Sequence, residues 1–318
     1  MARRNNNPQD EFLWVEKYRP QTLSDCILPA AMREELQAFV DKGELPNLLL
    51  TGSAGVGKTT VAKALANDLK MDMLVINASK DGNIDTLRTT IQNFAMSKSF
   101  MGAQKVVLLD EADYLNVNST QPALRNFIEE YSKNCRFILT CNYPKKIIDP
   151  LHSRLKTVDF SFTKSDQKSM APKFLKRFSK ILDDEGVEYD KGTLVQLILK
   201  YTPDYRKMLG ELQGATGTGT LDPKSISTMG ADDFAQVSTW IAAKEFTLLR
   251  EWVSENVDIG HTHFMKVRNE LESKLVKESI PEMFLVLNEF DKAAKDVTDM
   301  EVHFIACIVQ LMFELEYK

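Results

Sequence analysis

The chain has 318 residues, of which 43% are apolar, and its formal net charge is −5. This length predicts two or three domains, and this apolar content excludes a disordered chain. The negative net charge excludes a uniformly cationic surface, so that any nucleic-acid contact has to come from a local basic patch.

Cysteine usage and hydropathy exclude further classes of protein. The four cysteines are scattered without a C-x-x-C pair, which predicts free thiols in a reducing compartment and neither a disulfide framework nor a zinc site. The first residues, MARRNNN, lead into no apolar segment and do not predict a signal peptide. The longest uncharged apolar stretch, residues 304–313, is too short to cross a membrane. We therefore expect a soluble, cytoplasmic protein with no membrane partner.

Residues 1–161 alternate short apolar runs with segments of helical periodicity. Apolar runs of this length predict strands buried on both faces, and strands separated by helices predict a parallel sheet in an α/β nucleotide-binding domain. The predicted strands are 47–50, 73–77, 106–109, 137–142 and 157–162, and the predicted helices are 31–42, 61–69, 83–96 and 121–131.

Two helical domains are predicted after the α/β domain, over residues 162–230 and 231–318. No strand is expected in either of them. The last helix carries an apolar stripe that is too wide for a solvated helix, so it lies either at the centre of a bundle or partly against another subunit. The predicted helices are 165–182, 192–201 and 205–213 in the second domain, and 234–252, 261–276, 281–297 and 299–317 in the third.

One stretch between a predicted strand and a predicted helix reads GSAGVGKTT and fits G-x-x-x-x-G-K-[ST]. In this context backbone N–H groups and the positive end of a helix surround an anion. Lys58 can reach the β- and γ-phosphates, and Thr59 can offer its hydroxyl to Mg²⁺. We therefore predict a site for a nucleoside triphosphate and Mg²⁺ that includes Gly52, Ser53, Ala54, Gly55, Val56, Gly57, Lys58, Thr59 and Thr60.

Polar residues follow two of the predicted strands. Asp110 ends one strand and would hold Mg²⁺, and Glu111 would act as the base that polarises the attacking water. Asn142 ends the next strand, where an amide could orient that water. A turn-forming Asn before Tyr143 and Pro144 is the alternative interpretation. Arg154 and Arg206, taken in isolation, are typical of surface arginines.

Several of these motifs occur in an order that resembles one family. LWVEKYRP at 13–20, the phosphate loop, LLDEAD, the ILTCN strand, the Ser153-Arg154 pair and the Arg206 helix follow one another along the chain. The chain resembles AAA+ ATPases of the replication factor C type, the subunits of sliding-clamp loaders. Within that family it is most similar to clamp-loader ATPase subunits of T-even-type bacteriophages, which would place it in a phage-infected bacterial cell. The resemblance implies an AAA+ P-loop domain, a small helical lid domain and an all-helical collar domain for oligomerisation.

The resemblance also implies roles for residues around the nucleotide. Val15 and Tyr18 would line the adenine pocket, with Lys17 and Arg19 near the nucleotide. The family's Ser-Arg-Cys reads Ser-Arg-Leu here, with the arginine retained.

Three further positions match named elements of the family. Asn142 matches sensor 1, Arg206 matches sensor 2 in the lid, and Arg154 matches the arginine finger that acts on ATP bound to a neighbouring subunit. The usual Gly-Asp-Met/Leu-Arg around sensor 2 reads Pro-Asp-Tyr-Arg.

The partners implied by the resemblance are further copies of this chain, a non-identical clamp-loader subunit, the sliding clamp and primer–template DNA. Lys80 and Arg88 would contact DNA phosphates, which fixes position along the backbone but carries no sequence information. Phe100 and Met101 would anchor in the clamp. Gln121 would couple DNA sensing to the ATP site.

Two other functions share part of this pattern. The tetrapeptide Asp-Glu-Ala-Asp at 110–113 is also found in DEAD-type helicases, but the Ser-Ala-Thr and His-Arg-x-Gly-Arg motifs of a second α/β domain are missing from the sequence. A structural subunit that binds ATP without turnover is the other alternative, and the complete set of Lys58, Asp110, Glu111 and Asn142 argues against it.

Overall fold

The computed structural model describes residues 12–81, 84–97, 99, 104–216, 220–221, 233–255, 261–294, 297 and 299–318. The chain divides into two units, Met1–Ser225 and Ile226–Lys318. The predicted boundary between residues 230 and 231 lies outside the described residues and stays a prediction. The separation of an α/β domain from a lid at residues 161 and 162 stays a prediction.

A parallel sheet organises the first unit, as the α/β prediction requires. Its strand order is β2-β3-β4-β1-β5, and every pair of neighbours is parallel. The carboxyl ends of β1, β3 and β4 therefore lie side by side at one edge. The strands are β1 (Leu48–Thr51), β2 (Asp72–Asn77), β3 (Lys105–Asp110), β4 (Cys135–Cys141) and β5 (Lys156–Asp159).

Helices cover both faces of this sheet. Successive side chains of a strand point to opposite faces, and here the side chains on both faces are apolar. Leu49 and Leu109 lie in the core on one face, and Leu50 and Leu108 lie in the core on the other. The helices of this unit are α1 (Trp14–Lys17), α2 (Ala30–Lys42), α3 (Lys58–Asp68), α4 (Ala78–Asp81), α5 (Ile84–Met96), α6 (Thr120–Glu130), α7 (Asp149–His152), α8 (Lys164–Asp184), α9 (Lys191–Tyr201) and α10 (Tyr205–Ala215).

The prediction that residues 162–230 contain no strand is wrong. Two short strands, β6 (Glu188–Tyr189) and β7 (Thr220–Leu221), pair in parallel as a small separate sheet. Two residues are too few to show a period of two in the sequence, so the alternation that marks a strand could not be seen.

The second unit is a helical bundle, and one of its predicted helices is wrong. The single helix predicted over 234–252 is two helices, because Lys244 adopts a left-handed conformation with φ 57°. The amide of Glu245 donates to the carbonyl of Trp240, which closes the first of them. The helices are α11 (Asp233–Ala243), α12 (Phe246–Glu255), α13 (His261–Leu271), α14 (Ile280–Ala293) and α15 (Met300–Glu314).

The last helix, α15, lies at the centre of this bundle, which is one of the two positions its apolar stripe predicts. Phe304, Ile308 and Leu311 are buried in the core of the second unit. Val302 and Phe313 on the same helix remain 61% and 75% exposed. Among the described residues, no helix is long and apolar enough to cross a membrane.

Candidate ATP site

The phosphate loop connects the end of β1 to the first residue of α3, as its motif predicts. Gly57 precedes the helix with φ +99°, and Gly55 has φ +76°. Both values lie in the left-handed region that favours glycine. At Gly55 a side chain is also excluded by space, because a Cβ would lie 1.8 Å from Oδ1 of Asp204. The phosphate loop therefore has no room for a side chain where it approaches the start of α10.

Lys58 is 7% exposed and uses its ammonium to join the loop to the end of β4. Its Nζ donates to the carbonyls of Gly52 and Ser53, at 2.8 and 2.7 Å, and to Oδ1 of Asn142 at 2.9 Å. These three acceptors match the three donors of an ammonium group. Burial lowers the pKa of Lys58, and the nearby Arg206 also lowers it.

Asp110 receives two hydroxyl donors on the same oxygen. Thr59 and Thr140 both donate to Oδ1 of Asp110 at 2.6 Å. A carboxylate beside a hydroxyl is an oxygen donor set that suits Mg²⁺, which takes few protein ligands and keeps several waters. The part of the chain that the structure describes holds no group of three or more His, Cys, Asp or Glu side chains able to bind a metal. The arrangement of Thr59 and Asp110 therefore suits Mg²⁺, which needs few protein ligands. It does not resemble a cation site enclosed by several carboxylates.

Glu111 has a strained backbone at the end of β3. Its φ of 59° and ψ of 43° are left-handed, which is uncommon for a residue other than glycine. The amide of Glu111 donates to Oγ1 of Thr140 at 3.0 Å, which helps to hold this conformation. Strain of this kind is typical of functional sites, where the surrounding structure imposes it.

Two polar residues of the site were missed by sequence reasoning. Thr140 joins Asp110 to the amide of Glu111, and a polar residue inside the apolar run ILTCN was the signal that could have found it. Asp113 is 6% exposed and its Oδ1 accepts from the amide of Asn142 at 3.3 Å. It therefore supports the position of Asn142.

A cleft of about 730 Å³, its open mouth included, is lined by Lys58, Thr59, Asp110, Glu111, Thr140 and Asn142. Arg19 and Arg206 bring positive charge to the same cleft. The Nε of Arg19 is buried and has no hydrogen-bond partner within the described segments, while its Nη2 pairs with Glu16. A buried donor of this kind suits an anionic ligand. The predicted residues that line the cleft are Val15, Arg19, Ala54, Gly55, Gly57, Lys58, Thr59, Thr60, Asp110, Glu111, Asn142 and Arg206.

An apolar cavity of about 460 Å³, open solvent at its mouth included, adjoins this cleft. The two cavities share Pro20, Gly57, Thr60 and Tyr205 as a common wall. The predicted loop residue Val56 lies on the apolar side. The remaining apolar lining comes mainly from Ile27, Leu28, Val61, Phe162, Met170 and Phe174. An apolar cavity next to a phosphate loop has the character expected of a pocket for a nucleotide base.

Four predicted nucleotide contacts line neither the cleft nor the apolar cavity, and Val15, predicted at the adenine, lines the cleft. Lys17 and Tyr18 both donate to Oε1 of Glu185, at 2.6 and 2.5 Å. Burial and this carboxylate raise the pKa of Tyr18. Val15 lies on the wall of the phosphate cleft. Gly52 and Ser53 line a neighbouring cavity together with Asn142.

Arg154 lies on the surface and contacts α6. Its Nε donates to Oε1 of Glu129 at 2.7 Å, its Nη2 pairs with the same carboxylate, and its Nη1 donates to the carbonyl of Pro150 at 2.8 Å. The residues that line the ATP cleft do not include it.

The remaining predictions fall in several places. Gln121 is fully buried, where its Nε2 donates to the carbonyls of Leu115 and Lys146 and its Oε1 accepts from the amide of Ile148. Lys80 and Arg88 are exposed, on α4 and α5. Phe100 and Met101 lie outside the described residues.

A phosphate loop between a parallel strand and a helix, faced by an acid pair at the end of β3, defines a P-loop nucleotide-binding fold. Residues 48–162 match the family described as "ATPase family associated with various cellular activities (AAA)". The sliding-clamp-loader large subunit of Enterobacteria phage T4 is 34% identical over 316 residues, which cover 98% of each chain. The replication factor C small subunit of Methanococcus maripaludis is 35% identical over 80% of this chain and 85% of its own.

A solved structure shares the fold. The Holliday junction branch migration motor RuvB of Thermotoga maritima superposes with a TM-score of 0.53 at 19% identity, over 70% of this chain and 79% of that one. Because its sequence identity is low, this likeness concerns the fold alone. From its curated relatives, the chain belongs to the family of sliding-clamp-loader and replication factor C subunits within the AAA ATPases.

Proposed function

We propose that the protein is an ATP-hydrolysing subunit of a sliding-clamp loader, which opens the clamp and loads it on primer–template DNA. The observation that carries this proposal is the similarity over nearly the whole chain to a sliding-clamp-loader large subunit. The convergence of Lys58, Asp110, Glu111 and Asn142 on one cleft supports turnover of ATP and argues against a purely structural subunit.

In this proposal the cleft binds the triphosphate and the adjoining apolar cavity binds the base. Lys58 contacts the β- and γ-phosphates, and the backbone of the loop and the N-terminus of α3 stabilise their negative charge. Thr59 and Asp110 hold Mg²⁺, which neutralises charge that develops on the phosphates. Glu111 polarises the attacking water, and Asn142 orients it. Arg206 and Arg19 place further positive charge at the phosphate end of the cleft.

A further positive charge for the ATP site, that of Arg154, comes from a neighbouring copy of the chain. Arg154 lies on the surface, in contact with Glu129 and away from the cleft lining of its own chain. This position supports action on ATP bound to the adjacent subunit. An arginine finger contributes about 10³–10⁵ in rate, or roughly 4–7 kcal/mol of barrier. Hydrolysis then depends on the assembly, which DNA and the clamp complete.

The contacts with DNA and clamp follow the family pattern. The exposed Lys80 and Arg88 would bind phosphates of the primer–template, and a few such contacts from each of several subunits sum to an affinity that falls with salt. Phe100 and Met101 would anchor in the clamp. Gln121, which joins the segments after β3 and β4, would transmit the state of the DNA to the ATP site.

The test is the Glu111→Gln variant in the complex assembled with its non-identical subunit, clamp and primer–template DNA. This variant should bind ATP and open the clamp as the wild type does, but turnover should fall by at least about a hundredfold, the usual contribution of a general base. Wild-type hydrolysis by Glu111→Gln would exclude the proposed base. Lack of any clamp loading by the wild-type complex, with ATP binding intact, would favour a subunit with another role.

A further inference from the structure

Arg177 in α8 connects three separate segments of the first unit. Its Nε donates to the hydroxyl of Tyr205 at 2.9 Å, its Nη2 to the carbonyl of Tyr18 at 2.8 Å, and its Nη1 to the carbonyl of Asp25 at 2.9 Å. All three nitrogens of the guanidinium are used. The donors of an arginine are spread over a rigid plane, whereas the three donors of a lysine all leave one compact nitrogen, so a lysine would not span acceptors placed around a guanidinium.

Two of the three partners of Arg177 are chain neighbours of cleft residues. Tyr18 directly precedes Arg19, and Tyr205 directly precedes Arg206. Both arginines line the cleft, whereas Arg177 borders the apolar cavity. The guanidinium of Arg177 thus bonds to the residue that directly precedes each of the two cleft arginines, Arg19 and Arg206.

Tyr205 is itself closely held, so its position is transmitted to Arg206. Its ring stacks on Phe178 with centroids 5.5 Å apart, and it packs against Phe174 at 5.8 Å. Its amide donates to the carbonyl of Gly55 at 3.1 Å, which joins the start of α10 to the phosphate loop. A shift of the Tyr205 hydroxyl would therefore change both the first turn of α10 and its contact with the loop.

We propose that Arg177 is a positioning residue, which sets the places of Arg19 and Arg206 in the cleft through Tyr18 and Tyr205. This inference rests on the proposed function, because it treats the cleft as the site of the triphosphate. It assigns Arg177 no contact with the phosphates. Its effect on phosphate binding passes through the two other arginines.

The first experiment measures ATP affinity of the full-length chain by calorimetry, a readout independent of turnover. Arg177→Met and Arg177→Lys should each weaken ATP binding by about tenfold, the factor that corresponds to loss of one hydrogen bond to a charged group. Lys176→Met changes an exposed residue of the same helix and should leave the affinity unchanged. Unchanged affinity in both Arg177 variants would overturn the proposal.

A double-mutant cycle separates positioning from general stability. We combine Arg177→Met with Arg206→Ala or with Arg19→Ala. The loss of ATP affinity in each double variant should be about three- to tenfold smaller than the product of the two single losses, as for groups in one network. Tyr205→Phe keeps the ring but removes the hydroxyl, and should show this coupling with Arg206→Ala and none with Arg19→Ala. Losses that multiply fully in every pair would show that Arg177 acts only on folding.

The two proposals fail in different ways. If Lys58→Ala binds ATP as tightly as the wild type, the cleft is not the triphosphate site and the proposed function fails first. If Lys58→Ala abolishes binding while the Arg177 variants bind normally, the proposed function stands and the positioning role is excluded. Arg177→Lys and Tyr205→Phe keep the test valid should Arg177→Met fail to fold.

Discussion

The ammonium of Lys58 and the side-chain oxygen of Asn142 lie 2.9 Å apart, so one hydrogen bond joins the phosphate loop to the end of β4. The other two acceptors of this ammonium are carbonyls of the loop itself. Asn142 is therefore the one side chain among its hydrogen-bond acceptors in the described structure. The position of Lys58 relative to β4 depends on it.

Replacing Asn142 should impair turnover more than ATP binding. Asn142→Ala leaves a buried ammonium with one acceptor fewer, which costs about 1.5–3 kcal/mol for a charged hydrogen bond. We expect kcat to fall by roughly ten- to a hundredfold, with a smaller change in ATP affinity. Steady-state kinetics and calorimetry measure the two effects. Asn134→Ala, in the exposed turn before β4, is the matched control. An equal loss from both variants would contradict this interpretation.

Arg154 and Glu129 should have unequal effects although they form an ion pair. Arg154→Ala should reduce hydrolysis in the assembled complex by about 10³-fold or more and leave ATP affinity intact. Glu129→Gln should change the rate only a few-fold, because an exposed ion pair contributes about 1 kcal/mol at most and the Pro150 carbonyl still holds the guanidinium.

Mixed complexes test whether Arg154 acts in trans. Subunits with Arg154→Ala retain an intact cleft, and subunits with Lys58→Ala retain an intact finger. Mixing the two should restore part of the activity that neither has alone. No recovery over all mixing ratios would place Arg154 outside the active site of the neighbour.

Two glycines with the same backbone strain should respond differently to alanine. Gly55 and Gly43 have φ of +76° and +68°, so alanine at either should cost about 1–2 kcal/mol of stability. Only Gly55→Ala also displaces Asp204, whose Oδ1 accepts from the amide of Lys207 and caps α10. Loss of this cap should weaken ATP binding by about three- to tenfold. Thermal unfolding and calorimetry separate the effects, and weaker binding in Gly43→Ala would contradict the argument.

The buried thiols predict how stability depends on alkaline pH. Burial raises the pKa of Cys26, Cys141 and Cys307 to about 12 and that of Cys135 to about 11, from an ordinary value of 9.0. Above pH 9 a thiol ionises in the unfolded chain while it stays protonated in the folded one, so stability falls as pH rises. The expected slope is about 1.4 kcal/mol per pH unit for each thiol.

Cys307→Ala isolates this effect from other groups that titrate at high pH. Between pH 9 and 11 its unfolding free energy should fall less steeply than that of the wild type, by the slope of one thiol. Below pH 8 the two pH profiles should run parallel. Identical slopes above pH 9 would mean that Cys307 already ionises in the folded protein. Slow alkylation of the native thiols by iodoacetamide at pH 8 is an independent check.

The sheet could be predicted from the sequence because both of its faces are covered. Strands such as Leu48–Thr51 and Lys105–Asp110 then appear as continuous apolar runs, and the polar residues that follow them meet at one edge by parallel geometry. The motif likewise predicted the positions of Lys58 and Thr59 at the start of a helix, since its spacing describes a single turn of chain. In patterns of this kind the local sequence alone determines the local backbone structure.

The features that could not be predicted from the sequence depend mainly on contacts between segments far apart in the chain. Nothing local distinguishes Arg177 from the lysines around it, and its role appears only when Tyr18 and Tyr205 are brought to it. Glu185 is likewise a surface acid by its sequence context, yet it receives the hydroxyl of Tyr18. The left-handed Lys244 that divides α11 from α12 is neither Gly nor Asn, so no residue type marks the break.

The buried amide of Gln121 has a mechanical consequence for the cleft. It bonds to Leu115, in the segment after Asp110 and Glu111, and to Lys146 and Ile148, in the segment after Asn142. A displacement of one loop would therefore pull on the other through this side chain, and Glu111 and Asn142 stand at the two strand ends from which these loops begin.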